Sequence, residues 1–140
     1  MKVRRYRDAD RDALVDLWRT VFPDDPPHNE PAQMLAAKLV VDDLILVADG
    51  DEELAGACMA GYDGHRGWLY AVAVRDPYRR HGTGSALVNA AIAALQELGC
   101  IKVNLQIRAT NTAVAAFYES LGFTVEERLS MGKLLIDRDS

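Results

Sequence analysis

What this sequence lacks narrows the field first. None of its 140 residues belongs to an apolar run near the ~20 needed to span a bilayer, so no membrane partner is expected. The start, Met1-Lys2-Val3-Arg4-Arg5, is basic but leads into no apolar stretch, so no signal peptide is read there. Cysteine is scarce: Cys58 and Cys100 form no Cys-x-x-Cys and no Cys/His cluster. Reduced, buried thiols in a cytoplasmic protein are the expectation. No metal site is expected either, because His28 has no His, Cys or acid at ligand spacing. A basic excess is also missing. Sixteen Lys and Arg against 21 Asp and Glu leave a net charge of -5, which argues against nucleic-acid binding. The acidic balance mildly favours a cationic substrate, although solubility alone accounts for it. There is no internal repeat, low-complexity tract or linker.

What is present suits one globular domain, residues 1–140, able to bury roughly two-thirds of its unfolded surface. Hydrophobic residues make up 49% and charged residues 26%, an ordinary balance. Lys2 to Tyr6 reads as a strand. Asp8 is a helix N-cap candidate before a helix with Leu14, Leu17, Trp18 and Val21 on one face. Four prolines between Phe22 and Pro31 mark a loop. Pro31 suits the first turn of a second helix to about Val41, with Leu35 and Leu39 inward. Strands follow at Leu44–Ala48, Leu54–Tyr62 and Trp68–Val74, the first two joined through Asp49 to Glu53. A helix from about Gly84 to Leu98 is stopped by Gly99. Ile101–Ile107 alternates like a strand, Asn111–Leu121 is helical, and Phe123–Val125 and Met131–Ile136 read as closing strands. The order β-α-α-β-β-β-α-β-α-β-β predicts an α/β fold, one mixed sheet of about seven strands with helices on both faces.

The most informative stretch is Val72-Ala73-Val74-Arg75-Asp76-Pro77-Tyr78-Arg79-Arg80-His81-Gly82-Thr83-Gly84. A hydrophobic strand runs through a basic, glycine-bearing turn straight into a helix. The first N–H groups of a helix lack internal partners and its dipole favours negative charge there. Gly82 and Gly84 carry no Cβ, so a backbone can approach phosphate oxygens closely. Arg79, Arg80 and His81 add positive potential. An ordinary strand-to-helix turn with a basic surface is the plainer reading. The stretch lacks the Gly-Lys-Ser/Thr ending of a P-loop and the Gly-x-Gly-x-x-Gly of a dinucleotide fold.

Arg79-x-x-Gly82-x-Gly84 resembles the Gln/Arg-x-x-Gly-x-Gly/Ala signature of the GNAT acetyltransferases, with Val72-Ala73-Val74 before it at the family's spacing. A second block follows in the family's order: Asn111, six residues, then Tyr118-Glu119-Ser120-Leu121-Gly122-Phe123. The small bacterial YpeA-type acetyltransferases look most similar, through Gly61 to Gly67 and Ser130-Met131-Gly132-Lys133. The ribosomal-protein-alanine N-acetyltransferases resemble the Asn111–Phe123 block but less elsewhere.

The resemblance implies a GNAT fold whose fourth and fifth strands splay apart, aided by a bulge near Ala73. It implies transfer of an acetyl group from acetyl-CoA, acting as donor substrate, to an amine on a small molecule or peptide. Backbone groups of Val72, Ala73 and Val74 would pair with the pantetheine. The amides of Arg80 through Ser85 (Arg80, His81, Gly82, Thr83, Gly84, Ser85), with Arg79 beside them, would hold the diphosphate. Asn111 would reach the cofactor, cap its helix, or do both. Tyr118 matches the family tyrosine that protonates the leaving thiolate, although a core aromatic is its plainer reading. A general base is harder to name. Some relatives carry a strand glutamate, but the fourth strand has no acid and the fifth offers Gln106. Candidates are Asp63, which can equally cap its own turn, His65 and Glu30; ordered water can also take the proton. Trp18 and the Phe22–Pro31 loop are expected to wall the acceptor site, with Asp24, Asp25 and Glu30 making its mouth negative. Homodimerisation is common among such relatives, but no patch is assignable to it. A non-catalytic acyl-CoA-binding regulatory or sensor module is the rival reading.

Overall fold

Glycine, alanine and small apolar residues crowd the central strand, and in a computed structural model of the protein that strand is covered on both faces. The structure describes residues 2–24 and 26–136. They form two compact units, one reaching to Gln106 and one beginning at Ile107.

In the first unit, β1 (Val3–Arg5), β2 (Ile45–Asp49), β3 (Leu54–Tyr62), β4 (Gly67–Val74) and β5 (Val103–Asn104) lie side by side in chain order. The pairs are antiparallel until β4 and β5, which are parallel. The sheet is therefore mixed. Side chains alternate across it. Ile45, Val47, Ala57, Met59 and Ala73 join Leu14, Leu17 and Trp18 of α1 (Arg11–Val21) and Leu35 of α2 (Pro31–Val41) in one core. The opposite face meets α3 (Thr83–Glu97), whose Leu87, Val88, Ala91 and Leu95 are fully buried. One chain end is fastened electrostatically. The Arg4 guanidinium donates to both oxygens of Asp10 at 2.8 Å and to Asp49 at 3.0 Å. Arg4 is the main reason the Asp10 carboxyl is held below the usual carboxylate range.

Several expectations need correction. Among the described residues five strands form, not about seven. Ile101–Ile107 pairs only at Val103 and Asn104, because the β4 ladder ends there. Among the described residues neither Phe123–Val125 nor Met131–Ile136 is a strand. Their apolar side chains Val125, Leu129, Met131 and Leu135 are exposed. Alternation shows which face a strand would bury, but only a neighbouring edge makes it a strand. The helix cap is also displaced. Asp8 opens a short 3-10 turn, and the Asp10 carboxylate is the group that reaches back to the Arg7 N–H at 2.8 Å.

The second unit holds α4 (Thr112–Ser120). Asn111 Oδ1 accepts from the Val114 N–H at 3.3 Å, the cap its position suggested. Beyond the helix, Gly122 takes a left-handed φ of 95°, and the Phe123 N–H returns to the Tyr118 carbonyl.

Candidate active site

Strand β4 carries the site, and its geometry follows from one extra residue. Ala57 faces Ala73 but Met59 faces Tyr70. Two steps along β3 thus match three along β4, a bulge at Ala71–Val72, just before the expected Ala73. Ala71 adopts a left-handed φ of 51°, which costs a residue bearing a Cβ. The Trp18 indole holds it there, donating to the Ala71 carbonyl at 3.0 Å. Trp18 is fully buried. It braces the bulge from within the core and cannot wall an open acceptor site, as the sequence had suggested.

Beyond Trp68 and Asn104 the β4–β5 pairing stops. A cavity of about 420 Å³ lies there, lined by Trp68, Leu69, Tyr70, Ala71 and Gln106. The Arg75 N–H donates to Ala55 of β3 at 2.8 Å. By alternation the N–H and C=O of Val74 face the other way, along the edge that β5 leaves unpaired. Arg79 Nε already donates to that Val74 carbonyl at 2.9 Å.

The turn after β4 is open to a ligand. A 3-10 turn, Asp76–Tyr78, leads to Arg79, whose guanidinium is held by Val74 and Asp76. Arg80 (φ 66°) and Gly82 (φ 81°) are both left-handed, and α3 begins at Thr83. A Cβ added at Gly82 would meet nothing within 4 Å, so glycine is needed there for its φ, with open space in front of it. Among the described residues, no protein group accepts from the N–H of Arg80, His81, Gly82, Thr83, Gly84 or Ser85. Six successive donors at the positive end of a helix form a cradle whose geometry suits an anion. Thr83 Oγ1 donates to the Tyr78 carbonyl at 3.2 Å, and the Tyr78 hydroxyl accepts from the Asp51 N–H at 3.1 Å. These bonds tie the cradle to the β2–β3 turn.

The base candidates are each held by other protein groups, and Asp63 also interacts with the side chain of Trp68 in the cavity lining. Asp63 and His65 occupy the exposed β3–β4 turn. Asp63 Oδ1 accepts from the N–H groups of His65 and Arg66 at 2.8 and 2.7 Å. The Arg66 and His65 amides, in that order, hold the Asp63 carboxyl below the usual range. His65 Nε2 accepts from Arg66 at 2.7 Å. Glu30 caps α2 through the Gln33 N–H and pairs with Arg19 at 2.7 Å; Arg19 first, then that amide, keeps its carboxyl low. Asp24 is exposed, and Asp25 lies outside the described residues. In the second unit Asn111 caps α4, and Tyr118 is buried, its ring edge-on to Phe117 and Phe123 at 5.0 and 5.5 Å. Of the lining residues, Leu69 and Ala71 were missed along with the two aromatics Trp68 and Tyr70. Their signal was available: aromatics two apart on a strand share a face. No group of His, Cys, Asp and Glu able to hold a metal occurs among the described residues. No helix among them is long and apolar enough to cross a membrane.

The sequence profile of the acetyltransferase (GNAT) family matches residues 11–123, from α1 past the Tyr118 motif. The chain belongs to the GNAT acetyltransferase family. As a member, it is an acyltransferase. An acetyltransferase of Pectobacterium atrosepticum is 36% identical over 138 residues, 98% of this chain and 97% of that one. Among solved structures, the ribosomal-protein-S18-alanine N-acetyltransferase of Escherichia coli matches with TM-score 0.76 at 24% identity, over 88% of this chain and 77% of that one. The aminoglycoside N-acetyltransferase AAC(6')-Iy, solved with CoA, matches with TM-score 0.78 at 17% identity, over 96% and 95%. At these identities the structural likenesses speak for the GNAT fold alone.

Proposed function

We propose that this GNAT protein moves an acetyl group from acetyl-CoA directly to an amine. The single observation that carries this reading is the run of six amides, Arg80 to Ser85, that donate to no protein acceptor among the described residues, at the end of a strand whose outer edge is unpaired beyond Trp68. In the proposal the cradle takes the diphosphate. The pantetheine runs along Val72, Ala73 and Val74 as an added strand, with the Val74 N–H as donor because Arg79 already uses its carbonyl. The thioester then lies near the bulge and the amine enters through the cavity at Trp68–Ala71. AAC(6')-Iy, solved with CoA, lends the donor assignment support by analogy.

The chemistry is one displacement. The neutral amine attacks the thioester carbonyl, a C–N bond forms, and the C–S bond breaks. A β4 amide steadies the oxyanion, and holding both reactants in one cleft removes several kcal/mol of barrier. Tyr118 returns a proton to the departing thiolate, and Asn111 helps hold the cofactor while capping its helix. Both assignments rest on the family motif in which these residues stand. The ammonium proton leaves through water, since Asp63 and Glu30 are held ionised by their partners and are poor bases. Two buried, free thiols, Cys58 and Cys100, suit a reducing cytoplasm; burial pushes Cys58 up to about 12.

Release of free CoA thiol across a panel of amines tests the reading. Turnover with at least one amine is expected. Tight acetyl-CoA binding without turnover on any peptide, polyamine, arylalkylamine or aminoglycoside would favour the rival, an acyl-CoA-binding sensor.

A further inference from the structure

The cavity beside the bulge says more about the acceptor than that it is an amine. Trp68 faces Gly61 and Tyr70 faces Met59, so both rings project from one face of β4. Tyr70, on β4 just past its last pairing with β5, is 44% exposed, a large area for an aromatic. Its position is built in. A Cβ at Gly61 would collide with the Tyr70 hydroxyl and lie 3.3 Å from its ring carbon Cζ. Only glycine lets the phenol lie back over β3 and leave the cavity clear.

The cavity is also uncharged. Its lining, Trp68, Leu69, Tyr70, Ala71 and Gln106, includes no ionisable carboxylate or cation. The carboxylates whose fields bear on the Tyr70 hydroxyl are Asp42 and Asp63, and both are engaged. Asp42 pairs with Lys38 at 2.7 Å and accepts from the Leu44 N–H at 2.8 Å. Asp63 is held by two amides of its turn and by the Trp68 side chain. Lys38 is in turn bound to the Ala60 carbonyl. A second ammonium or a ring of hydroxyls would find few partners here. A flat apolar body would find an indole and a phenol, the usual furniture of a specific small-molecule pocket.

From this we infer that the acceptor is a primary amine carried on an aromatic body, an arylalkylamine, with Trp68 and Tyr70 as its specificity residues. The inference rests on the acetyl-transfer reading, which supplies the amine.

The two can be tested apart. Trp68 lines the cavity whereas Trp18 is sealed in the core, so tryptophan emission reports binding without turnover. The protein is titrated with 2-phenylethylamine, spermidine and glucosamine, with and without CoA. Saturable change with phenylethylamine is expected at concentrations at least about tenfold below the other two. Trp68→Phe should remove the signal and Tyr70→Ala should weaken binding about tenfold or more. Gly61→Ala pushes the phenol into the cavity and should weaken binding several-fold. In a Tyr70→Phe background, where the colliding hydroxyl is gone, it should do little. Equal loss in both backgrounds, spermidine or glucosamine binding as tightly, or no saturable binding of phenylethylamine overturns the inference. Thiol release with spermidine alone sinks the aromatic acceptor and leaves acetyl transfer standing. Selective phenylethylamine binding without any thiol release does the reverse.

Discussion

The two turns that flank β4 look alike in composition and differ in what their amides do. The turn before it, Asp63-Gly64-His65-Arg66, and the turn after it, Arg79-Arg80-His81-Gly82, both combine glycine, arginine and histidine. In the first, Asp63 Oδ1 takes the N–H groups of His65 and Arg66, and the Asp63 N–H goes to the Arg66 carbonyl. From the second into the helix, no protein group among the described residues accepts from the six successive N–H groups of Arg80 to Ser85. Backbone donors must be satisfied somewhere. A turn that satisfies its own is finished as structure; one that presents them together at a helix start is ready for an anion. Residue type does not separate the two, but counting hydrogen bonds does.

The comparison breaks most sharply at Gly82. Gly82→Glu puts a side chain on a backbone with φ 81°, and sets a carboxylate in the open space before the cradle. CoA affinity measured by calorimetry should fall by about 100-fold or more. Gly64 also has a positive φ and open space around it, so Gly64→Glu is the matched control: it imposes similar strain and should leave CoA affinity unchanged. Equal loss at both glycines would make the effect one of strain alone and the contrast between the turns would vanish.

A second variant separates holding the cofactor from reacting with it. Tyr118→Phe keeps the ring and its contacts with Phe117 and Phe123 but removes the hydroxyl. The kcat should drop by roughly 10- to 100-fold, the scale of a lost general acid, with acetyl-CoA affinity unchanged. Full activity would take Tyr118 out of the mechanism.

The parts legible in the sequence were those set by local physics. The β3 strand matches its expected range, Leu54–Tyr62, because an unbroken apolar run between turn residues leaves little choice. The helix after the cradle starts at Thr83, one residue before the expected Gly84, since left-handed Gly82 serves as its cap. Non-local facts were harder to read. The bulge sits at Ala71 because Trp18, 53 residues away, bonds its carbonyl. The same bond turned an expected acceptor wall into core. Asp63 could be read as a base or as the cap of its own turn, and its two amide partners show the cap. The closing strands failed for a related reason, since alternation in Phe123–Ile136 does not say which edge will pair with it.

The closed turn yields a smaller, pH-dependent effect. Its amides hold the Asp63 carboxyl below the usual range. A lowered native pKa means the carboxylate stabilises the fold above the ordinary aspartate pKa of about 3.9, and that this contribution is lost as pH falls through the lowered value. Asp63→Ala should lower Tm by a few degrees near neutral pH. The difference from the parent should shrink towards zero as the pH is taken below that range. The kcat should not change, because the turn is finished structure. A kcat that falls while Tm holds would reassign Asp63 to the chemistry.

The smallest expected effect tests the same turn most directly. His65 is exposed, its amide is held by Asp63, and its Nε2 accepts from Arg66. Replacing it with alanine removes the ring and leaves the backbone bonds of the turn intact. If the amine proton leaves through water, the rate should follow the ionisation of the acceptor itself. The pH–rate profile of His65→Ala should then overlay that of the parent, and both should shift together when an acceptor of lower pKa is supplied. Loss of an acidic limb in the variant alone would make His65 the base. The closed turn would then belong to the active site, and the contrast with the open one would fail at the residue where it is weakest.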